Sequence, residues 1–338
     1  MKEIQIIGGG LAGLSLGIAL RNNGVPVVLH ESGVYPQHKV CGEFICGVED
    51  SVLENLGIQT CLDNAKIHQR LKWWVDGVKV VDKALPRPAR GISRYVLDQR
   101  LAEHFEKLGG LLMTPSRVRS DFGEGVVRAC GKRKSGHKEW IGLKLHFLKD
   151  DLAGLEMHLG KIGYMGLCDV GGGRVNACGL FQMNSQIKGK GRQLFFNYLR
   201  SAGLDYLAGI LDELESDDSS FSATAGFALG KQELQNGFSI GDAQYLIPPF
   251  TGNGMSMALE SSALALESLL AYSVGDISWD AAQKEYHRKL KSQFGKRTAL
   301  ASSIHPLMFN NIGRASLKQL AKRDLLPIPF LFTQLRTP

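Results

Sequence analysis

The sequence predicts an α/β protein: a doubly wound, mainly parallel sheet with an inserted antiparallel β-sheet and C-terminal helices. Three observations support this. The first thirty residues alternate strand, glycine loop, helix and strand. Two later segments, residues 66–91 and 136–222, alternate apolar and polar residues as half-buried strands do. The segment from residue 278 onward is helical and basic. With 338 residues, 44% of them hydrophobic, the chain can form one large or two closely packed domains.

The first strand, loop and helix have the pattern of a nucleotide-binding unit. An apolar strand at residues 4–7 runs into Gly8-Gly9-Gly10-Leu11-Ala12-Gly13, and helical apolar spacing follows to residue 20. In G-x-G-x-x-G the first glycine permits a tight turn, the second lets the backbone approach a pyrophosphate, and the third lets the helix lie close to the strand. The N–H groups at the helix start would bind the phosphate charge.

An acidic residue follows the second strand. The helix ends at Asn22-Asn23-Gly24, the next strand is predicted at residues 25–30, and Glu31 follows, 23 residues after Gly8. A carboxylate at this position can accept hydrogen bonds from a ribose hydroxyl. Strand, glycines, helix, strand and acid in this register predict a Rossmann-like dinucleotide site rather than a chance glycine-rich turn.

A second glycine-containing motif lies far downstream. A short strand near residue 239 ends in Gly241-Asp242, a proline-rich loop follows at residues 248–254, and a helix is predicted from about residue 256 to 272. Asp242 would accept a hydrogen bond from a ribityl hydroxyl. The N–H groups of Gly254 and Met255, at a helix start, would face the flavin N1 and C2 carbonyl. A plain NAD dehydrogenase needs no such second site, so the two motifs predict FAD.

With these motifs, the sequence resembles the p-hydroxybenzoate hydroxylase and geranylgeranyl reductase superfamily of flavoproteins over most of its length. Cys41-Gly42-Glu43-Phe44 resembles the loop that passes the flavin ring, and the segment from Arg94 resembles the R-x-x-L/F-D-x-x-L helix start. This resemblance implies that Arg94 contacts the FAD phosphates or ribityl chain, and that Val118, on the strand after the helix, holds the adenosine end. The CGEF and PPFTGNGM segments resemble a bacterial subset associated with polyketide or phenolic-lipid pathways, a secondary-metabolism role.

The predicted cofactor-binding residues are Gly8, Gly10, Leu11, Ala12, Gly13, Glu31, Ser32, Cys41, Gly42, Glu43, Arg94, Val118, Asp242, Pro249, Gly252, Gly254 and Met255.

One position departs from the family pattern. Ala129-Cys130-Gly131 stands where many hydroxylases have A-D-G, and Cys130 replaces an aspartate associated with FAD and NAD(P)H binding. The chain has no second G-x-G-x-x-G, so NAD(P)H has no domain of its own. The reductant is therefore either NAD(P)H that binds transiently or a separate donor such as a reductase.

The inserted strands should cover the flavin and form the substrate pocket. Few candidate reactive groups lie there, and no general acid or base is assigned. The weak catalytic candidates are His146, Tyr164, Pro249 and Phe250, with His158 and Cys178 as further reactive groups. A place in the core or on the surface explains each of the His, Tyr and Cys candidates better than catalysis does. Trp73-Trp74 either stacks on an aromatic substrate or packs under the sheet.

Charge and cysteine content restrict the partners and the compartment. The net charge is +7, yet the Lys and Arg residues form no single stripe, and the short Lys132-Arg133-Lys134 run is typical of a solvated turn, so we expect no nucleic-acid binding. Six cysteines without C-x-x-C pairs favour reduced thiols in a cytoplasm and no metal site. The apolar start is interrupted by glycines, unlike a signal segment.

The basic tail leaves two alternatives open. Lys318, Lys322 and Arg323 precede an apolar segment at residues 325–332. This tail either docks on the protein's own core or makes a peripheral contact with a membrane surface.

We predict three domains or segments: an FAD-binding domain of residues 1–65, 92–135 and 223–277, a substrate-binding sheet of residues 66–91 and 136–222, and a helical segment of residues 278–338. The function predicted first is an FAD-dependent monooxygenase that uses O2, through a flavin hydroperoxide, to hydroxylate an aromatic, polyketide-like or lipophilic molecule. The alternatives are an ene-reductase of isoprenoid or lipid double bonds and a flavin-dependent cyclase or isomerase. Halogenation is disfavoured because W-x-W-x-I-P is absent. The sequence leaves the substrate, the electron donor and the oligomeric state open.

Overall fold

The computed structural model describes residues 1–118, 123–131, 139–226, 237–244 and 247–336. The Lys132-Arg133-Lys134 run and the predicted domain boundary at residues 135–136 lie outside these residues. The strands are β1 (Ile4–Ile7), β2 (Val27–His30), β3 (Phe44–Cys46), β4 (Lys66–Val75), β5 (Val78–Gly91), β6 (Leu111–Met113), β7 (Val126–Arg128), β8 (Trp140–Leu148), β9 (Leu155–Leu159), β10 (Gly163–Asp169), β11 (Arg174–Gln182), β12 (Ser216–Ala225) and β13 (Phe238–Ser239). The helices are α1 (Leu11–Asn22), α2 (Asp50–Leu56), α3 (Arg94–Lys107), α4 (Gly191–Ser201), α5 (Asp205–Asp212), α6 (Gly254–Val274), α7 (Trp279–Phe309), α8 (Asn311–Lys322) and α9 (Ile328–Arg336).

A parallel sheet forms the first layer. Within the described residues its strand order is β13-β7-β1-β2-β6, with every pair parallel. β1 lies in the centre, where Ile4 and Ile6 are fully buried. Because the carboxyl ends of parallel strands lie at one edge, the loops after β1, β2, β7 and β13 meet there. The predicted parallel α/β sheet is confirmed.

Helix α1 packs tightly against this sheet, as the glycine pattern predicts. A Cβ on Gly13 would lie 2.0 Å from the carbonyl oxygen of Gly8, and one on Gly17 would lie 2.9 Å from the Phe105 ring of α3. The helix ends at Asn22, and Gly24 follows with φ +77°. Only glycine allows the backbone of α1 to approach β1 and α3 this closely.

The inserted strands form a larger mixed sheet in the order β12-β8-β11-β10-β9-β4-β5-β3. The expectation of an antiparallel sheet is correct for every pair except β4 and β9, which run parallel. β4 and β9 belong to separate insertions. β4 pairs antiparallel with β5, and β9 pairs antiparallel with β10, so the two insertions join where β4 and β9 lie side by side. β3 adds an edge strand from the chain between residues 1 and 65, and the division into domains stays a prediction.

The C-terminal helices dock on the protein's own core, and a peripheral contact with a membrane surface stays a prediction. α7 packs against α6, with Tyr286 stacked on Phe238 at 4.5 Å. Its last turns cross to the mixed sheet, where Met308 packs in a cluster with Trp140 and Tyr164. α9 packs against α7. No described helix is long and apolar enough to cross a bilayer.

Candidate active site

An elongated cavity of about 890 Å³ runs along the carboxyl edge of the parallel sheet toward β12 of the mixed sheet. Every predicted cofactor-binding residue except Gly13 lies on its wall. Gly13 instead sits under α1 against Gly8, where it permits close packing. The structure thus brings together residues from positions 8 to 255 of the chain, while their contact with a cofactor stays a prediction.

The glycine loop leaves space at one end of this cavity. Gly8 has φ +114°, and its Cβ would lie 2.3 Å from the carbonyl oxygen of Ala129, so the fold itself requires glycine there. Gly10 differs, because its φ is −81° and a Cβ would meet nothing nearer than an Arg94 nitrogen at 3.9 Å. Packing therefore does not explain the glycine at position 10, whereas a ligand close to the backbone would.

Glu31 is held beside the glycine loop. Its two carboxylate oxygens accept hydrogen bonds from the backbone N–H groups of Gly9 at 2.7 Å and Gly33 at 2.8 Å. The Tyr35 hydroxyl donates to the Gly9 carbonyl at 2.5 Å. Burial and the nearby Glu31 carboxylate raise the pKa of Tyr35, which keeps this donor neutral. The carboxylate is fixed at the end of β2, where a ribose hydroxyl would reach it.

Two cations share one carboxylate near Gly10. Arg94, at the start of α3, makes two hydrogen bonds to Asp98 at 2.7 and 2.8 Å, and the Lys39 ammonium lies 3.1 Å from the same carboxylate. Burial alone would lower the pKa of Arg94, but Asp98 outweighs it and raises the pKa, so the guanidinium stays charged. The local excess of positive charge favours a phosphate in this part of the cavity.

The structure places Val118 differently from the sequence-based expectation and shows what the thiol of Cys130 contacts. Val118 does not lie on a strand, because β6 ends at Met113 and Pro115 has no N–H with which to continue the ladder. Val118 is instead a partly exposed residue in the following loop. Cys130 lies just after β7 on the cavity wall, where its thiol donates to the Ile7 carbonyl at 3.2 Å. Burial raises the pKa of Cys130, so no negative charge replaces the family's aspartate there.

A buried ion cluster lies behind the predicted flavin loop, and sequence reasoning missed it. The fully buried Glu43 carboxylate contacts the Lys144 ammonium at 3.2 Å, the His146 Nε2 at 2.6 Å and the backbone N–H of Arg94 at 2.9 Å. Burial favours the neutral form of Glu43, but His146 and Lys144 outweigh it and lower the pKa of the carboxyl. The Glu43 carboxylate is therefore committed to protein contacts, and its backbone carbonyl likewise accepts a hydrogen bond from the Ile92 N–H at 2.9 Å.

His38 completes this cluster. Its Nδ1 lies 3.0 Å from the Lys144 ammonium, and burial together with Lys144 lowers the pKa of His38 to about 4. The ligand atoms of His38, Glu43 and His146 lie within 4.8 Å of one another, as in a possible metal site. However, Lys144 already supplies a cation in contact with two of the three, so the absence of a metal stays our expectation.

A second, apolar cavity of about 660 Å³ lies between the mixed sheet and the C-terminal helices. It meets the first cavity at residues 40–44 and 249–252, and the residues there that line both cavities are Val40, Cys41, Gly42, Phe44, Pro249 and Gly252. Of the weak catalytic candidates, Tyr164, Pro249 and Phe250 lie on its wall. Burial raises the pKa of Tyr164 well above its usual value, so its hydroxyl stays neutral. His146 lines neither cavity among the described residues.

Of the other aromatic and thiol candidates, two line the apolar cavity and two do not. Trp73 lines the apolar cavity, whereas Trp74, on the opposite face of β4, stacks on His158 at 4.4 Å. His158 lies on neither cavity wall and contacts the Tyr206 hydroxyl. Cys178 lines the apolar cavity, and burial raises the pKa of its thiol. A substrate in this cavity would meet Trp73 and Cys178 but not Trp74 or His158.

No protein-family model and no curated protein sequence matches the chain. Solved structures do match. The flavin-dependent brominase Bmp2 matches with a TM-score of 0.74 and 15% identity, covering 99% of this chain and 93% of that one. p-Nitrophenol 4-monooxygenase PnpA from Pseudomonas putida DLL-E4 matches with a TM-score of 0.73 and 14% identity, covering 99% of both chains. A flavoprotein/dehydrogenase from Cytophaga hutchinsonii matches with a TM-score of 0.74 and 14% identity, covering 99% of this chain and 97% of that one.

The chain has the fold of FAD-dependent monooxygenases. The match to this flavin-monooxygenase fold extends over nearly the whole chain, and so includes the C-terminal helices that close the apolar cavity. Because proteins described as a brominase, a monooxygenase and a dehydrogenase share the fold, the fold by itself does not select the reaction. Membership of the bacterial CGEF and PPFTGNGM subset stays a prediction.

Proposed function

We propose that the protein is an FAD-dependent monooxygenase that hydroxylates an aromatic, polyketide-like or lipophilic small molecule. The observation that supports this best is the junction of the two cavities at residues 40–44 and 249–252. The elongated cavity has the volume, the glycine loop and the nearby cations that a dinucleotide needs. The apolar cavity then begins where the reactive end of that dinucleotide would lie. Such an arrangement brings a redox cofactor to a lipophilic substrate.

The residues on the walls suit FAD at each part of its length. Gly10 leaves backbone-level space for a pyrophosphate, with Lys39 and Arg94 as the nearby cations. Asp242, in a one-turn helix at Gly241–Ala243, would hold the ribityl chain, and the N-terminus of α6 at Gly254 would face the ring's pyrimidine edge. When bound, FAD would supply electron transfer and oxygen activation.

The protein's own residues would position the substrate and exclude water. Trp73, Tyr164, Phe250 and Met308 form an apolar wall, and burial raises the pKa of Tyr164, so its hydroxyl stays neutral. Their role is to hold an electron-rich molecule against residues 40–44 and 249–252. The apolar composition favours a substrate that is largely hydrophobic.

The residues at the mouth of the apolar cavity also support a lipophilic substrate. Leu307, Ile312 and Leu320 line the cavity and are exposed, with Ile312 81% exposed. The excess of basic residues in the chain lies in residues 278–338. Exposed apolar side chains beside basic ones support a lipophilic substrate that enters from an anionic membrane surface. The free cysteines support a reducing cytoplasm as the location.

We expect the reduced protein to consume O2 and to insert one oxygen atom into its substrate. The test incubates chemically reduced protein with candidate phenolic lipids and isoprenoids under 18O2 and analyses products by mass. Hydroxylated product containing 18O supports the proposal. Alkene reduction without O2 would make the protein an ene-reductase, and an isomerised product without net electron use would make it a cyclase or isomerase; either result contradicts hydroxylation.

We expect NADPH or NADH alone to reduce the bound flavin slowly, because Cys130 supplies no carboxylate where the family's aspartate stands. The measurement mixes the protein anaerobically with each nicotinamide, with and without substrate, and follows the loss of oxidised-flavin absorbance. Dithionite serves as the positive control, and Cys130→Ser serves as the matched variant that should behave like the original protein. Rapid, saturable bleaching by a nicotinamide would overturn the idea of a separate electron donor.

A further inference from the structure

Arg336, the last residue of α9, lies on the wall of the apolar cavity. Its guanidinium donates to the backbone carbonyls of Thr251 and Cys46, and it lies 5.0 Å over the Phe332 ring. A Cβ on Gly252 would be only 3.1 Å from one of its nitrogens. The cation is therefore placed at the end of the apolar cavity that adjoins the elongated one.

Arg336 has no acidic partner among the described residues. Three other well-buried arginines differ, since Arg94, Arg297 and Arg314 pair with Asp98, Glu260 and Asp76. Burial lowers the pKa of Arg336, and only the Cys46 thiol opposes this effect. A guanidinium has five N–H donors, and the two carbonyls account for two of them. A cation in apolar surroundings without a counter-charge is costly, so this site favours an anion.

If Arg336 served only to hold α9 against the loop at residues 251–253, its positive charge would not be needed. Asn253 already joins the loop to α9, because its side-chain amide donates to the Leu335 carbonyl at 2.5 Å. Arg336 also lies on the wall of the apolar cavity and not on the described wall of the elongated one. An anion that binds Arg336 would therefore belong to the ligand of the apolar cavity.

We propose that Arg336 binds an anionic oxygen group of the substrate, a carboxylate or an ionised phenol, and so sets the substrate class. The substrate is then an amphiphile, with its anionic group at the junction of the two cavities. Its apolar body lies along Trp73, Tyr164 and Met308 toward the mouth at Ile312. This inference rests on the proposed function only in taking the apolar cavity as the substrate site.

The test uses two probes of similar size with the same butylphenyl body, 4-butylbenzoate and the neutral 4-butylbenzyl alcohol, in calorimetric titrations of the purified protein at pH 7.5. We expect the original protein to bind the benzoate at least about tenfold more tightly than the alcohol. Arg336→Gln should weaken benzoate binding by about 10- to 100-fold, the value of a charged hydrogen bond, and change alcohol binding less than threefold. Arg336→Lys, which keeps the charge, should retain part of the preference.

Two control variants separate the charge from the fold. Arg323→Gln removes an exposed cation just after α8 and should change neither affinity. Trp73→Ala should weaken both probes together, because it removes part of the apolar wall. Equal weakening of both probes by Arg336→Gln, or no preference for the benzoate in the original protein, would overturn the proposal. FAD content and oxygen incorporation are measured on the same preparations. Their loss with an intact benzoate preference would refute the redox function but not the anion site.

Discussion

Gly10→Val is expected to abolish FAD binding while the protein stays folded. The φ of −81° and ψ of −173° at position 10 are accessible to valine, and the nearest atom to a new Cβ is 3.9 Å away. The side chain would occupy the space of the pyrophosphate instead of clashing with the fold. We expect affinity to fall by about 100-fold or more, roughly 3 kcal/mol. The measurement is the flavin absorbance of the purified variant and its FAD affinity by fluorescence titration.

Two other glycine variants serve as controls for this result. Gly209→Val, at an exposed position of α5 where a Cβ meets nothing within 4 Å, should leave FAD binding unchanged. Gly8→Val should prevent folding, since position 8 has φ +114° and a Cβ would lie 2.3 Å from a carbonyl oxygen. Unchanged FAD affinity in a folded Gly10→Val protein would show that the glycine loop does not bind the pyrophosphate.

Lys144→Met should destabilise the fold by about 3 to 5 kcal/mol, because it leaves the fully buried Glu43 carboxylate without its ammonium partner. The double variant Glu43→Gln/Lys144→Met removes both charges and should recover much of this loss. The measurement is the urea unfolding midpoint, with the far-UV and near-UV signals followed together.

Lys318→Met provides the matched control, because the Lys318–Asp76 pair has the same kind of contact, at 2.8 Å, but is partly exposed. An exposed pair contributes about 0 to 1 kcal/mol, so this variant should unfold close to the original midpoint. Equal losses from Lys144→Met and Lys318→Met, or a double variant no more stable than Lys144→Met, would show that the buried cluster does not stabilise the loop at residues 41–44.

Several features of this protein follow from the sequence alone because they depend on local backbone chemistry. The glycine spacing at residues 8, 10 and 13 fixes the turn after β1, and Asn22 and Gly24 end α1 where expected. Ser93 caps α3 by accepting from the Tyr95 N–H, so the predicted helix start at Arg94 is confirmed. Each of these signals lies within a few residues of the structure it determines.

The buried cluster of His38, Glu43, Lys144 and His146 has only a partial signal in the sequence. Lys144 and His146 occupy alternate positions of the otherwise apolar β8, which places both side chains on one face of the sheet. Charged residues in a buried strand require partners. Which residues supply them, the carboxylate of Glu43 and the ring of His38, depends on packing between segments about one hundred residues apart.

Tertiary structure alone decided where the two cavities meet and which residues face the substrate. The parallel pairing of β4 with β9, the separation of Trp73 from Trp74, and the position of Arg336 leave no periodic or motif signal in the sequence. Arg336 contacts Cys46 and Thr251 across 290 and 85 residues of chain. Such contacts result from the docking of whole helices and sheets, which depends on the shape of the entire core and not on any local segment.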